Sequence, residues 1–463
     1  MTNPLAPNWL TEPADLNKVD LKIWPLNCAR NKYGELSFAG VPASELSAQF
    51  GTPLYVIDEE ACRLTAHRVQ KAFVDAAAAV GTTAKVYYAS KAFLNKEIAR
   101  WIDDLGIGID VASGGELAVA LSVNFPAERI QVHGNNKSEA EIEAAIGAGV
   151  GAIVIDSFHE IERVARIAAN LQRIQPIFIR VTAGIEAHTH EFIATAHEDV
   201  KFGFSLASGA AWKAIEEIET HDSLKLVGLH SHIGSQIFGS EAHEIATDRL
   251  MAFMARYRDE CGSELTDLDL GGGFGIAYLQ SEKTVEPEDV LSEIYAAVKK
   301  AAERHNLKIP RISLEPGRNI VGPTMLTLYE VGTVKNVQLE NGKQRTYISV
   351  DGGMSDNIRP ALYDAQYSAV LAQRASSAPL QDCRLVGKHC ETGDIIINEI
   401  SLPADIAPGD LIAIPATGAY GRSMASNYNH VPRPPVIAVN NGKARIIVRR
   451  ENEADLLALD VKE

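Results

Sequence analysis

Lys91 stands in Tyr87-Tyr88-Ala89-Ser90-Lys91-Ala92, just past a short β-branched run. A lysine there is either a solvated surface charge or an amine nucleophile. Desolvation lowers an ammonium pKa, and the neutral amine can attack a carbonyl to form a Schiff base. A second run continues into His230-Ser231-His232-Ile233-Gly234-Ser235-Gln236. Strand alternation sends His230 and His232 to one side, and Gly234 permits close backbone approach. Three readings of that pair stay open: metal ligands, a ring stacked on a flat cofactor, or a hydrogen-bonded structural pair. No Glu/Asp/His cluster at ligand spacing accompanies them in the sequence, so no metal is expected.

Two further runs end in Gly271-Gly272-Gly273-Phe274-Gly275 and in Glu315-Pro316-Gly317-Arg318. Glycines leave backbone N–H groups accessible to a phosphate, although the same cluster also marks plain tight turns. Arg318 adds a charge-assisted contact. A lysine, a stacking imidazole, a phosphate cradle and the carboxylate Glu315 together describe a pyridoxal phosphate site. In it Glu315 keeps a proton on the pyridine nitrogen and the ring remains an electron sink.

These residues need elements to position them. Between about residues 85 and 315, β-branched runs alternate with alanine-rich amphipathic stretches, the pattern of repeated βα units. The runs are 86–89, 107–111, 130–133, 152–155, 177–181, 225–230, 268–270 and 312–314, with helices such as Ser138 to Ala148, His159 to Leu171, Glu241 to Glu260 and Pro287 to His305 between them. Eight strands alternating with helices imply a (β/α)8, TIM-like barrel, whose active site forms at the C-terminal strand ends, with phosphate bound after strands seven and eight. After Arg318 the texture becomes strands and tight turns, with hairpin signals at Asn341-Gly342 and Asn441-Gly442, so the fold class is α/β plus all-β, the second domain a β-barrel or sandwich. The expected boundaries are 47–318 for the barrel and 1–46 together with 319–463 for the β domain. Pro53 to Ile57 reads as a strand leading into a helix from Glu59 to about Val80.

Composition narrows the function. With 44 Lys+Arg against 60 Asp+Glu the net charge is −16, and no basic run breaks the excess, which argues against nucleic acid or an anionic membrane as partner. No apolar run approaches the roughly 20 residues that span a bilayer, and the polar start lacks the features of a signal peptide. Five widely spaced cysteines suit a reducing cytoplasm rather than a disulfide framework.

The ordered set Tyr88 to Ala92, Ser113-Gly114-Gly115-Glu116-Leu117, His133-Gly134-Asn135-Asn136-Lys137, His230 to Gln236, Gly271 to Gly275, Glu315 to Arg318, Arg359-Pro360-Ala361-Leu362-Tyr363 and Cys390-Glu391-Thr392-Gly393-Asp394 closely resembles the diaminopimelate decarboxylase family. The resemblance covers nearly all of the chain after residue 50. It implies a carboxy-lyase that converts meso-2,6-diaminopimelate to L-lysine and carbon dioxide, the last step of lysine biosynthesis, with pyridoxal 5'-phosphate as cofactor. By the same resemblance Lys91 forms the internal aldimine and His232 stacks on the ring. Ser235, Gly272, Gly273 and the backbone from Glu315 through Gly317 to Arg318 line the phosphate side. Arg318, Arg359 and Tyr363 bind the remote substrate carboxylate, Glu391 meets an amino group, and Tyr428 lies near both ligands. Cys390 protonates the α-carbon, and Cys390 and Glu391 come from the neighbouring subunit of a homodimer.

Two departures stand out: Thr392 replaces a serine but keeps the hydroxyl, and Thr195 to Val200 precede Lys201-Phe202-Gly203 where the family carries a Gly/Ser pattern. The competing readings are a decarboxylase for arginine or ornithine, a racemase on the same fold, and a non-catalytic relative; the last typically loses the lysine or the cysteine, and Lys91 and Cys390 are both present.

Overall fold

The structure is a computed structural model that describes residues 15–184, 201–284, 286–339, 342 and 344–461. The chain divides into two compact units, Thr65–Gly275 with Val285–Asn319, and Met1–Leu64 with Ile276–Thr284 and Ile320–Glu463. The run Thr195 to Val200 and Asn341 lie outside the described residues.

The first unit is a barrel. Its strands are Ala84–Ala89, Gly108–Val111, Ile130–Val132, Ala152–Ile155, Gln175–Thr182, Leu224–His230, Asp267–Asp269 and Arg311–Leu314. All neighbours pair in parallel; Ile312 opposite Ala84 joins the eighth strand to the first, and Ile153 opposite Ile177 joins the fourth to the fifth, so no edge remains. Phe204–Ser205 adds a short pairing beside the fifth strand. The strand Ala152–Ile155 is a continuous apolar run, as expected where a parallel sheet is covered on both faces.

Sequence chemistry sets where the intervening helices begin. Asn95 accepts from the Ile98 amide, Ser113 from that of Glu116, and Ser138 with Glu141 forms a capping box, each satisfying N–H groups that a helix start leaves unpaired. The helix Glu139–Ala148 ends on Gly149 at φ 79°, a left-handed cap that glycine adopts without a Cβ penalty. The helices Phe158–Asn170, Glu241–Cys261 and Pro287–His305 fall within a residue of where periodicity places them.

The second unit carries a nine-stranded sheet that mixes parallel and antiparallel pairs. Its longest strand, Met325–Gln338, pairs first with Leu54–Asp58 and Leu411–Ile414, then from Val331 onward with Gln344–Val350, with a register shift between Val331 and Thr333. Leu54–Asp58 is buried along its whole length and lies between Met325–Gln338 and Val436–Asn440. A start at residue 47 would give that strand to the barrel; its hydrogen-bonding edges give it to the β unit. Residues 276–284 also belong there, with Ala277 and Ile276 in its two apolar clusters. The first of those clusters joins Ile23, Trp24, Leu36, Phe38 and Leu46 of the N-terminal segment to Leu326, Ala413 and Ile437. Val436–Asn440 and Lys443–Val448 form the expected hairpin, with Asn441 at φ 48° and Gly442 at φ 73°, the positive pair that a type I′ turn requires. The loop before Gln344 is longer than a two-residue turn, since pairing stops at Gln338.

Candidate active site

Three strand ends that are not neighbours in the sheet meet over the barrel axis. Nε2 of His133, past the third strand, and Nε2 of His230, ending the sixth, lie 3.2 and 3.1 Å from Oε1 of Glu315, past the eighth. The imidazoles contact edge-on, with centroids 5.0 Å apart at 75°, and Glu315 is 5 % exposed. Burial alone would push the Glu315 pKa up; His133, His230 and Lys91 outweigh it and hold the carboxyl well below its ordinary range. Burial keeps both imidazoles neutral and takes His133 down to about 3. Neither N–H is aligned with Oε1, which has no well-formed hydrogen bond among the described residues. Nothing adjacent in sequence foretells this cluster. Read along the chain, His230 had no Glu/Asp/His companions at ligand spacing; barrel closure supplies two, and the three residues present metal-type donor atoms within 4.8 Å of one another. The partner of His230 is therefore His133 with Glu315, rather than His232.

In register with His230 on the next strand, Asp269 accepts from Gln131 Nε2 at 3.2 Å and from the Gly271 amide at 2.9 Å. Burial, reinforced by Glu315, pushes the carboxyls of Asp269 and Asp110 up.

The rim is knit by backbone bonds. Ala89 N donates to Pro316 O, Glu315 N to Gly271 O, and Ser231 N to Asp269 O, tying the Lys91 turn to the Glu315 turn. Lys91 lies in the single 3-10 turn Ser90–Ala92 and is exposed. The expected desolvation of this lysine is thus absent in the chain by itself. His232 is fixed from behind, where the Gly272 amide donates to its Nδ1 at 3.1 Å. That bond leaves the ring proton on Nε2. A Cβ on Gly271, at φ 69°, would lie 2.6 Å from the same Nδ1, and one on Gly273, at φ 105°, 2.2 Å from Gly234 O. The glycines are thus required by the protein's own close packing, a reason independent of any phosphate. Arg318 donates to Ser235 Oγ at 2.9 Å, joining two of the residues expected on the phosphate side.

A neighbouring network is purely internal. Lys137 Nζ sits 2.9 Å from Glu160 and donates to Gly134 O and Val154 O. Asp156 accepts from the Gly203 amide at 2.8 Å and faces Arg180, whose guanidinium lies 4.2 Å from the Phe202 ring centroid.

The second group of expected residues lies in the β unit. Arg359, 5 % exposed, opens the helix Arg359–Tyr363. It donates to the Tyr367 hydroxyl, and its Cζ lies 4.5 Å from the Tyr278 ring centroid. Burial opposes its charge, yet Tyr367, Tyr278 and Tyr420 hold the guanidinium above its ordinary pKa. Nε of Arg359 has no partner among the described residues. Tyr363 is half-buried.

Cys390 and Glu391 are exposed on a loop, whereas burial pushes the Cys62 and Cys383 thiols up to about 12, which leaves those two inert at neutral pH. Asp394 shapes the loop: its carboxylate accepts from Met354 N at 2.6 Å and His389 N at 2.8 Å. The His389 ring reaches Ser355 Oγ at 2.8 Å and Asn429 Oδ1 at 3.0 Å, and tilts against Tyr428 at 5.2 Å. Sequence reading placed His133 only within a motif, left His230 open between a metal ligand, a stacked ring and a structural pair, and assigned no role to Asp110, Asp269, Tyr278, Tyr367 or His389. For the first four, the signal was their place at or near barrel strand ends.

Comparison with known proteins assigns the chain. Residues 66–322 match the pyridoxal binding domain of the pyridoxal-dependent decarboxylases. Diaminopimelate decarboxylase of Mycobacterium bovis is 50% identical over 444 residues, covering 95% of this chain and 98% of that protein. The Corynebacterium efficiens enzyme of the same name is 47% identical, covering 97% of each. The crystal structure of diaminopimelate decarboxylase from M. jannaschii with L-lysine superposes with a TM-score of 0.88 at 32% identity, over 95% of this chain and 98% of that one. The chain belongs to the diaminopimelate decarboxylase family of pyridoxal-dependent decarboxylases.

Proposed function

We propose that the chain removes one carboxylate of meso-2,6-diaminopimelate, at the D-centre, to give L-lysine and carbon dioxide, the last step of lysine biosynthesis, as a pyridoxal phosphate-dependent carboxy-lyase. The observation that carries the substrate assignment is Arg359, a buried and charged guanidinium contacted by tyrosines, with Nε unpartnered among the described residues. A second substrate carboxylate, which ornithine and arginine lack, would satisfy it.

The residues present fit the cofactor. Glu315 Oε1 is a buried acceptor on an ionised carboxyl, without an aligned donor among the described residues, and a ring N–H is such a donor. When bound, pyridoxal phosphate supplies an electron sink for the pair left by the departing carboxylate. Lys91 would hold it through its amine, and His232 would support the ring face, its own orientation fixed by Gly272. Ser235, Gly272, Gly273, Gly317 and Arg318 would line the phosphate side, and the Arg318 to Ser235 bond presets two of them.

Arg318, Arg359 and Tyr363 are assigned to the remote carboxylate, Glu391 to an amino group, and Tyr428 to both ligands. Cys390 delivers the proton to the α-carbon, in keeping with its exposure on a loop shaped by Asp394. We place Cys390 and Glu391 in the site of a neighbouring copy, which makes the working unit a homodimer. The free cysteines agree with a cytoplasmic enzyme, and no helix among the described residues is long and apolar enough to cross a membrane.

The deciding experiment incubates purified, pyridoxal phosphate-loaded protein with meso-diaminopimelate, ornithine and arginine in parallel, following carbon dioxide and the amino acid product. Lysine from diaminopimelate alone is expected; turnover of another amino acid overturns the substrate, and α-proton exchange without carbon dioxide indicates a racemase. Mixing Lys91→Ala and Cys390→Ala proteins tests the shared site, and failure of the hybrids to regain activity refutes it.

A further inference from the structure

We propose that His133 and His230 are positioning residues: from two non-adjacent barrel strands they bring their Nε2 atoms to one oxygen of Glu315, and so keep that carboxylate ionised and in place for the cofactor's ring nitrogen. The inference rests on the reading in which Glu315 faces that nitrogen.

A carboxylate 5 % exposed is driven toward its neutral form unless something stabilises the charge, and a neutral acid has little hold on a cationic ring nitrogen. The same barrel shows one solution at Glu160, whose partner is the ammonium of Lys137 at 2.9 Å. A cation against Glu315 would cancel the charge that the ring requires. Two imidazoles at 3.2 and 3.1 Å avoid this. Burial keeps both uncharged, so their polar Nε2 edges, although out of line for a formed hydrogen bond, stabilise the anion by proximity without neutralising it. Their edge-on contact at 5.0 Å locks each ring against the other. Further titratable groups act on this cluster: Lys91, Arg180, His232 and Tyr87, together with the buried acids Asp110 and Asp269. Burial pushes both aspartic acids toward the protonated form, which concentrates the negative charge of the group on Glu315.

The test compares amides that place an N–H differently. His133→Gln and His230→Gln keep a donor near Nε2; His133→Asn and His230→Asn move it to the Nδ1 position. The holoenzymes are dialysed at pH 8.5 and at pH 6 against graded pyridoxal phosphate, and the dissociation constant is read from retained cofactor absorbance. The Gln variants should match the wild type within about twofold at both values, while the Asn variants should lose about tenfold more affinity at pH 6 than at pH 8.5, as Glu315 takes up a proton. Equal behaviour of Asn and Gln, or a pH-independent loss, reduces the histidines to packing and overturns the proposal. Glu315→Gln separates the two levels. If it binds the cofactor as tightly as the wild type, the reading of Glu315 itself fails. If it binds weakly while the histidine variants show no pH dependence, only the present inference fails.

Discussion

The barrel unit and the β unit differ in how they surround their buried charges. In the barrel, buried ionic groups face other titratable groups: Lys137 faces Glu160, Asp156 faces Arg180, and Glu315 faces two imidazoles. In the β unit two buried groups are packed among phenols, while Glu399 keeps ion pairs with Arg345 and Arg384. Arg359 has Tyr367 and Tyr278, and Asp356 receives the Tyr329 hydroxyl on its carboxylate and the Tyr55 hydroxyl on its backbone carbonyl. A phenol is a dipole and a ring quadrupole, so it can shelter a cation without cancelling it. The lesson is that a paired charge such as Lys137 is finished, whereas Glu315 Oε1 and Arg359 Nε have no hydrogen-bond partner among the described residues, the condition that the proposed ligands would meet.

If the two regions divide the labour in this way, substitutions in each should fail differently. Lys91→Ala should lose turnover by more than about 10³-fold, together with retention of cofactor on dialysis. Cys390→Ala should lose about 10²- to 10⁴-fold in kcat, the range of a general acid, with cofactor absorbance unchanged. Loss of cofactor from the cysteine variant would erase the distinction.

The barrel's finished pair supplies the stability counterpart. Lys137→Met leaves Glu160 buried beside no cation and should cost about 3–5 kcal/mol in denaturant unfolding. The double variant Lys137→Met with Glu160→Gln should recover most of that loss, whereas Glu315→Gln should leave stability nearly unchanged. A large loss from Glu315→Gln would mean that this carboxylate is structural in the manner of Glu160.

Arg359→Ala tests the phenol-lined cation. A hydrogen bond to a charged group contributes about 1.5–3 kcal/mol, so KM for diaminopimelate should rise by roughly 10- to 100-fold. Arg359→Lys should recover little, since an ammonium cannot reproduce the planar fork. An unchanged KM removes Arg359 from the substrate site.

How far these features were legible in the sequence follows from the distances along the chain that they span. The barrel was readable because each βα unit is local: a β-branched run, a capping residue such as Ser138 and an amphipathic helix lie within about 25 residues of one another. The segments proposed to face the ligands are legible as motifs for the same reason. The group of His133, His230 and Glu315 was not, because its members approach only when the eighth strand closes on the first. The boundary at residue 47 missed for a related reason: Leu54–Asp58 is a five-residue buried strand, and nothing within it says that its partners are Met325–Gln338 and Val436–Asn440. The tyrosines around Arg359 were likewise invisible, since Tyr278 is separated from it by the whole eighth βα unit.

Asp356 is the smallest and sharpest test of the phenol-lined region. Burial pushes its carboxyl up from 3.8 to about 7, against the Tyr329 and Gly353 hydrogen bonds that favour the ionised form. Its folded-state pKa therefore exceeds that of the unfolded chain. Such a group favours the fold fully below the unfolded pKa, and the benefit is lost as pH rises through the folded pKa. Asp356→Asn removes the titration while keeping an acceptor for the Tyr329 hydroxyl. Between pH 5 and pH 7 the wild type should lose about 2 kcal/mol of stability relative to Asp356→Asn, measured as the difference between their urea unfolding curves. Because the unfolded aspartate is almost wholly ionised at pH 5, the change must come from the native state. A difference that stays constant with pH would show that the two tyrosines accommodate the anion as readily as they accommodate the acid, and the β unit would then shelter both signs of charge rather than the cation alone.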